Sequence, residues 1–283
     1  MIGEARFEHI VELGSERWTP RGDAETRLRS SLAQALRHND VLDLILFGSI
    51  ARRSTTGFSD VDAILVISDD TMMGGQRLAK LRGRILEAQR AVLRYQPMQH
   101  HGFLVVPVSL LSHATHALSL PPEAVHTTVS LFGRDLQLRF TGFQALAVRR
   151  LSDLCRAVIR LESWPTHPWN VHRAVSMFAL IPSLYMQAVG RPCAKHESFE
   201  LARQEFGSIW APYDVLARVR EVWRRERRPL LELTAMGVRN PWTAVAAFRR
   251  LPVAVPKPIR RGLDDPCLCG LQELARRMLA GTT

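Results

Sequence analysis

Between Glu25 and Arg37 leucine recurs at every fourth position, at Leu28, Leu32 and Leu36, with polar and small residues between. That spacing places one apolar stripe on a helix. The next stretch, Val41–Phe47 (VLDLILF), is apolar except for Asp43 and has the length of a buried strand. Gly48-Ser49 ends it, and Val61–Ile67 (VDAILVI) predicts a second strand. Helical periodicity returns from Thr71 to Arg94, where Leu78, Leu81, Ile85, Leu86, Ala88 and Leu93 form a stripe that Pro97 stops. Phe103–Val108 (FLVVPV) predicts a third strand, with Pro107 marking its end or a sheet edge. Leu131–Phe140 predicts a short fourth strand after a turn at Gly133.

After Thr141 the apolar period stays helical. Helices are predicted over Phe143–Leu161 and Val171–Val189, the second closed by Gly190 and Pro192. Two more follow at His196–Phe206 and Pro212–Arg227. Pro252, Pro256 and Pro258 predict an extended linker before a last helix, Leu271–Leu279. The expected fold class is therefore α+β: a small mixed-sheet domain over residues 1–140, then an α-helical bundle domain over residues 141–283. No internal repeat or low-complexity tract interrupts this order.

Hydrophobic residues make up 46% of the 283 and charged residues 23%, the balance of a folded globular chain. The N-terminal MIGEARFEHIVELGSERW mixes charges with apolar residues and lacks a signal-peptide core. The longest mostly apolar run, Ala174–Val189, contains Pro182 and is shorter than the about 18 residues of a membrane span. The expectation is a soluble cytoplasmic protein with no membrane partner. Four cysteines (Cys155, Cys193, Cys267 and Cys269) are too few for a disulfide scaffold. The Cys267-Leu-Cys269 pair has no second ligand pair nearby and reads as inert thiols.

Charge changes the picture more. Residues 1–140 carry 16 basic against 15 acidic side chains, whereas residues 141–283 carry 22 against 12. Nearly all the basic residues are arginine, so a compositional bias competes with the reading that the second half meets a polyanion. The densest basic run, Trp223–Arg228 with Arg218 and Arg220, suits either a phosphate backbone or a solvated helix face. The tryptophans Trp164, Trp169, Trp210, Trp223 and Trp242 read as core or interface residues.

The chemistry concentrates at Asp60 and Asp62. Read as positions i and i+2 of a strand, they point to one side, in a place that is otherwise apolar. Two close carboxylates raise each other's pKa unless a cation sits between them. A divalent metal removes that conflict, and Mg²⁺ favours a few carboxylate oxygens together with water and phosphate. Just upstream, Gly48 permits close backbone approach, Ser49 offers a hydroxyl and an amide, and Ile50-Ala51-Arg52 can open a helix toward an anion. Strand, Gly-Ser turn and Asp-x-Asp strand together suit a metal–triphosphate.

These residues carry a resemblance. Gly48-Ser49, ten residues from Ile50 to Ser59, then Asp60-Val61-Asp62, flanked by Leu46, Phe47 and Ala63–Val66, resembles the signature of the nucleotidyltransferase superfamily related to DNA polymerase beta. The match spans roughly residues 25–110. It implies transfer of a nucleoside monophosphate, most simply AMP from ATP, to an acceptor, with pyrophosphate leaving. It implies one or two Mg²⁺ ions on Asp60 and Asp62, and Gly48 and Ser49 against the β- and γ-phosphates. Arg52 and Arg53 follow the turn and can reach a phosphate.

One departure stands out. Many members have a third carboxylate on a later strand, yet no Asp or Glu occurs here between Glu87 and Glu123. The corresponding strand is preceded by Gln99-His100-His101-Gly102, so His100 or His101 is a candidate base, with His101 taken as the catalytic one. Lys195 and His196 are candidates to line the cleft from the helical half. That half is basic, which favours an anionic acceptor such as RNA over a polycationic small molecule. Two rival readings are a nucleotide-binding or regulatory module that has lost catalysis, and a partner-binding protein of a toxin–antitoxin type.

Overall fold

The structure of the chain is a computed structural model describing residues 9–113, 125–140, 143–223 and 240–282. The first half runs β1 (His9–Leu13), α1 (Asp23–Leu36), β2 (Val41–Phe47), the single-turn α2 (Gly48–Ala51), β3 (Asp62–Ile67), α3 (Gly75–Tyr95), β4 (Leu104–Pro107), β5 (Val129–Ser130) and β6 (Leu136–Phe140). Four strands form a mixed sheet in the order β4-β3-β2-β5, with β3 and β4 parallel and the other pairs antiparallel.

The near-continuous apolar character of β2 and β3 follows from burial on both faces. Leu44, Leu46, Ala63 and Leu65 pack with Leu28, Leu32 and Leu36 of α1 and Leu81, Ala88 and Val92 of α3. Ile45, Phe47, Ile64 and Val66 pack on the other side with Val11, Leu13, Leu138 and Phe140. Those residues belong to a two-stranded ribbon in which β1 pairs antiparallel with β6, from His9 opposite Phe140 to Leu13 opposite Leu136. The fourth strand expected from Leu131–Phe140 therefore exists, but it joins β1. The fourth place in the central sheet goes to β5.

Asp43, on β2, is fully buried. Its carboxylate accepts from Leu44 N–H (2.7 Å), the Ser130 hydroxyl (2.5 Å), Phe132 N–H (3.0 Å) and Arg134 N–H (2.9 Å). Four donors on one carboxylate offset its desolvation and fasten the 130–134 turn to the sheet.

The second half holds α4 (Phe143–Ile159), α5 (Pro168–Phe178), α6 (Ile181–Ala188), α7 (Lys195–Phe206), α8 (Ala211–Val222), α9 (Pro241–Phe248), α10 (Lys257–Gly262) and α11 (Asp265–Ala280). The single helix expected over Val171–Val189 is two, because Pro182 has no N–H to donate and its ring crowds the preceding turn. Pro182 instead occupies the first turn of α6. Pro258 likewise opens α10 rather than extending a linker. α9 escaped the periodicity; it begins at Asn240-Pro241, where the Asn240 side chain caps Trp242 N–H.

Trp169, Trp210 and Trp223 are buried in the helical core, as expected of them. Residues 224–228, which hold four of the arginines of the basic run, lie outside the described residues. Among the described residues no helix is long and apolar enough to cross a membrane. Three side chains of the first half, Phe58, Leu93 and Met98, belong to the helical core, so the two halves share one apolar cluster.

Candidate functional site

The loop before β3 is built by two glutamines. The Gln96 side-chain amide donates to the carbonyls of Gly57 (3.0 Å) and Ser59 (2.7 Å). Gln99 accepts from Val61 N–H (2.8 Å) and donates to Val61 C=O (3.1 Å) and His101 C=O (2.9 Å). Both glutamines are buried. They take the place of a neighbouring strand for backbone groups that would otherwise be buried without partners. Strand β3 thus begins at Asp62, and Asp60 lies in the stapled loop before it. The two aspartates are not i and i+2 of one strand, as the pattern suggested.

Phe58 anchors the same loop in the helical half. Its ring stacks on His172 at 4.0 Å and meets Trp223 edge-on at 5.4 Å, while the Arg220 guanidinium lies 5.3 Å from its centre.

Asp62 faces Phe47 at the open end of the β2–β3 ladder. Gly48, the next residue of the chain, has φ +68°. A Cβ there would sit 2.5 Å from Asp62 Oδ2, so only glycine lets the turn and the carboxylate come this close. Asp62 Oδ1 lies 3.3 Å from His101 Nε2, and His101 Nδ1 donates to Gly102 C=O at 3.1 Å. Burial works against the charge on His101, but the hydrogen bond and charge of Asp62, aided by Asp60, push the imidazole up to about 9. At neutral pH it is an imidazolium paired with Asp62. In this arrangement His101 is a counter-ion, and a role as base requires that the charge of Asp62 first be taken up elsewhere.

Asp60 Oδ2 lies 3.2 Å from His100 Nδ1. Burial would raise the Asp60 carboxyl, but the His100 contact and the neighbouring imidazoles of His172 and His101 bring it below its ordinary value. The third imidazole is one the sequence did not announce. His172, on α5, is fully buried, and its Nε2 donates to Phe58 C=O at 3.1 Å. Burial pushes it down to about 4, so it is neutral. One ligand atom each from Asp60, His100 and His172 lie within 4.8 Å of one another. A lone histidine on a helix more than a hundred residues downstream carries no local signal of such a role.

Cations surround the carboxylates. Arg52 is half-buried and lowered by burial, with Asp62 opposing that change. Lys195, at the start of α7, is pushed down to about 8 by burial and by Arg220, against the attraction of Asp62 and Asp60. Arg220, on α8, is lowered by burial and held by Asp60. Lys195 thus lies within electrostatic range of both carboxylates from the helical half, whereas His196 is exposed. Ser49 is half-buried on α2, which is one turn long, so it offers a hydroxyl and a few N–H groups rather than a helix macrodipole.

Of the cysteines, Cys155 and Cys267 are buried and Cys269 is exposed, all as free thiols. Two large cavities, one along the β1–β6 ribbon and one between residues 163–171 and 249–265, are not lined by these site residues. The candidate chemistry sits instead at the seam of the two halves. No protein-family model matches the chain, and no curated protein matches it.

Proposed function

We propose that the chain is a metal-dependent nucleotidyltransferase of the DNA polymerase beta-like type. It would move a nucleoside monophosphate, most simply AMP from ATP, to an acceptor and release pyrophosphate. The observation that carries this reading is the Gly48–Asp62 contact: a carboxylate set against a glycine turn at the open end of two buried strands. The small mixed sheet, with helices on one face, supports it further.

The residues suit the Mg²⁺ that the reading calls for. Asp60 Oδ1 is buried without a hydrogen-bond partner, a carboxylate oxygen left for a cation. Asp60 and Asp62 would hold the metal, which when bound supplies neutralisation of charge on phosphate oxygens. The protein's own contribution is positional and electrostatic. Ser49 and Arg52 orient the β- and γ-phosphates, and the neutral His172 keeps the Phe58 loop in register. Lys195 and Arg220 face the same place from the helical half, where an anionic acceptor such as an RNA end would meet them.

Incubation with α-labelled nucleoside triphosphates, Mg²⁺ and total RNA or cell extract tests the proposal. Wild type should deposit label that Asp60→Ala and Asp62→Ala do not. A second reading, a nucleotide-binding module without catalysis, is favoured by the missing third carboxylate and by the imidazolium on Asp62. Tight triphosphate binding with no pyrophosphate released for any acceptor would establish it instead.

A further inference from the structure

Two polar atoms of the Asp60 cluster, Asp60 Oδ1 and His172 Nδ1, are buried without a hydrogen-bond partner, while His100 Nδ1 has only the 3.2 Å ion-pair contact with Asp60 Oδ2. The His172 atom is the most telling. A carbonyl oxygen can only accept, so the 3.1 Å contact with Phe58 C=O puts the proton of His172 on Nε2. Nδ1 then carries a lone pair, inside a fully buried side chain. An imidazole lone pair and a carboxylate oxygen share this pocket with no donor for either. Each buried acceptor left so keeps its full desolvation cost. A cation between them removes both costs.

We propose that Asp60, His100 and His172 form a binding site for one first-row transition dication, of the Mn²⁺ to Zn²⁺ series, in preference to Mg²⁺. Two imidazole nitrogens and one carboxylate oxygen are too rich in nitrogen for Mg²⁺, which selects oxygen ligands. Imidazole with carboxylate suits Mn²⁺, Fe²⁺, Co²⁺ and Zn²⁺, and three protein ligands leave positions open for water or an anion. The Phe58 carbonyl supplies the outer contact that fixes the tautomer and ring plane of a metal-binding histidine. Phe58 itself is locked by Trp223 and by the His172 stack. The site therefore exists only when the loop of the first half is docked into the helices of the second. The charges of Arg220 and Lys195 act on Asp60 and keep the affinity of the site below that of an uncharged surround. The proposal rests on ligand geometry; if the chain transfers nucleotides, this ion takes the place at Asp60 that the transfer reading gives to Mg²⁺. A water donating to both acceptors is the competing occupant.

The test uses the full chain, stripped with a chelator and titrated with Co²⁺ alone. One equivalent should produce ligand-field absorption that Zn²⁺ abolishes and a large excess of Mg²⁺ does not. Pulsed electron paramagnetic resonance of bound Mn²⁺ should show coupling to imidazole nitrogen. His172→Gln keeps an N–H donor for Phe58 C=O but replaces the imidazole nitrogen with a weaker amide ligand, and it should weaken Co²⁺ binding by more than the roughly tenfold that loss of an outer-shell partner costs. His100→Gln, on a side chain 20% exposed, should do the same if the first variant fails to fold. Absence of stoichiometric binding, displacement by equimolar Mg²⁺, or unchanged affinity in a folded variant would overturn the proposal. A thiolate charge-transfer band lost in Cys269→Ser would also overturn it, placing the ion at Cys267-Leu-Cys269.

Discussion

Replacing Gly48 by alanine tests the link between the turn and the carboxylates. Two costs are expected. Holding an alanine at φ +68° costs about 1–2 kcal/mol. The new Cβ would also lie 2.5 Å from Asp62 Oδ2, too close for any real contact, so the carboxylate must swing away from the turn. That movement weakens the 3.3 Å pairing with His101. A shift from the ordinary imidazole value of about 6.5 up to about 9 corresponds to roughly 3 kcal/mol at 1.36 kcal/mol per unit. Both side chains are about a third exposed, so solvent screening reduces this to about 1 kcal/mol. Gly48→Ala should therefore lose about 2–3 kcal/mol near pH 6.

The sign of the pH dependence follows from the direction of the shift. The folded-state pKa of His101 is raised, so its contribution is fully present below about 6.5 and is lost as pH rises through about 9. The deficit of the variant should shrink by about 1 kcal/mol between pH 6 and pH 10. Denaturant unfolding at the two pH values measures the deficit, and NMR titration of the imidazole should find His101 shifted down toward its ordinary value in the variant. A His101 that still titrates near 9, with less than about 0.5 kcal/mol lost at pH 6, would show that the glycine turn does not set the Asp62–His101 pairing.

Three further outcomes follow from packing and burial. Phe58→Ala, which empties the plug between the halves, should cost about 3–5 kcal/mol in urea unfolding, and Phe58→Leu much less. Asp43→Ala leaves the Ser130 hydroxyl and the N–H groups of Phe132 and Arg134 without their acceptor, and should cost about 3 kcal/mol or more by the same assay. Cys269 should alkylate in the folded protein, while Cys155 and Cys267, whose thiols burial pushes up to about 12 and about 11, should react only in denaturant, as mass spectrometry would read.

How much was legible in the chain depends on how far apart the interacting residues lie. The strands β2 and β3 declared themselves because both faces are buried, so almost every position is apolar. α1 and α3 were legible through their stripes. β1 was not: its charges and its partner, more than 120 residues away, leave nothing for a local pattern to show. Proline spoke clearly as a breaker, but only the structure distinguished a linker from the first turn of a new helix at Pro182 and Pro258.

The site divides in the same way. Gly48, Ser49, Arg52, Asp60 and Asp62 lie within one short stretch, and His100 and His101 on the next strand approach. Their chemistry follows from spacing because β3 pairs with both β2 and β4, so the ends of all three strands must meet. The sequence by its spacing placed two acids and a glycine turn close together at the end of two buried strands. Only the tertiary structure decided that Asp60 leaves the strand, because buried glutamine side chains replace a strand partner there. It alone decided that His101 is an ion-paired cation, since that depends on a carboxylate 3.3 Å away. It also brought His172, Lys195 and Arg220 to the carboxylates. Those approaches cross more than a hundred residues of chain and accompany the packing of Phe58 into the helical core, a side-chain docking that no periodicity encodes.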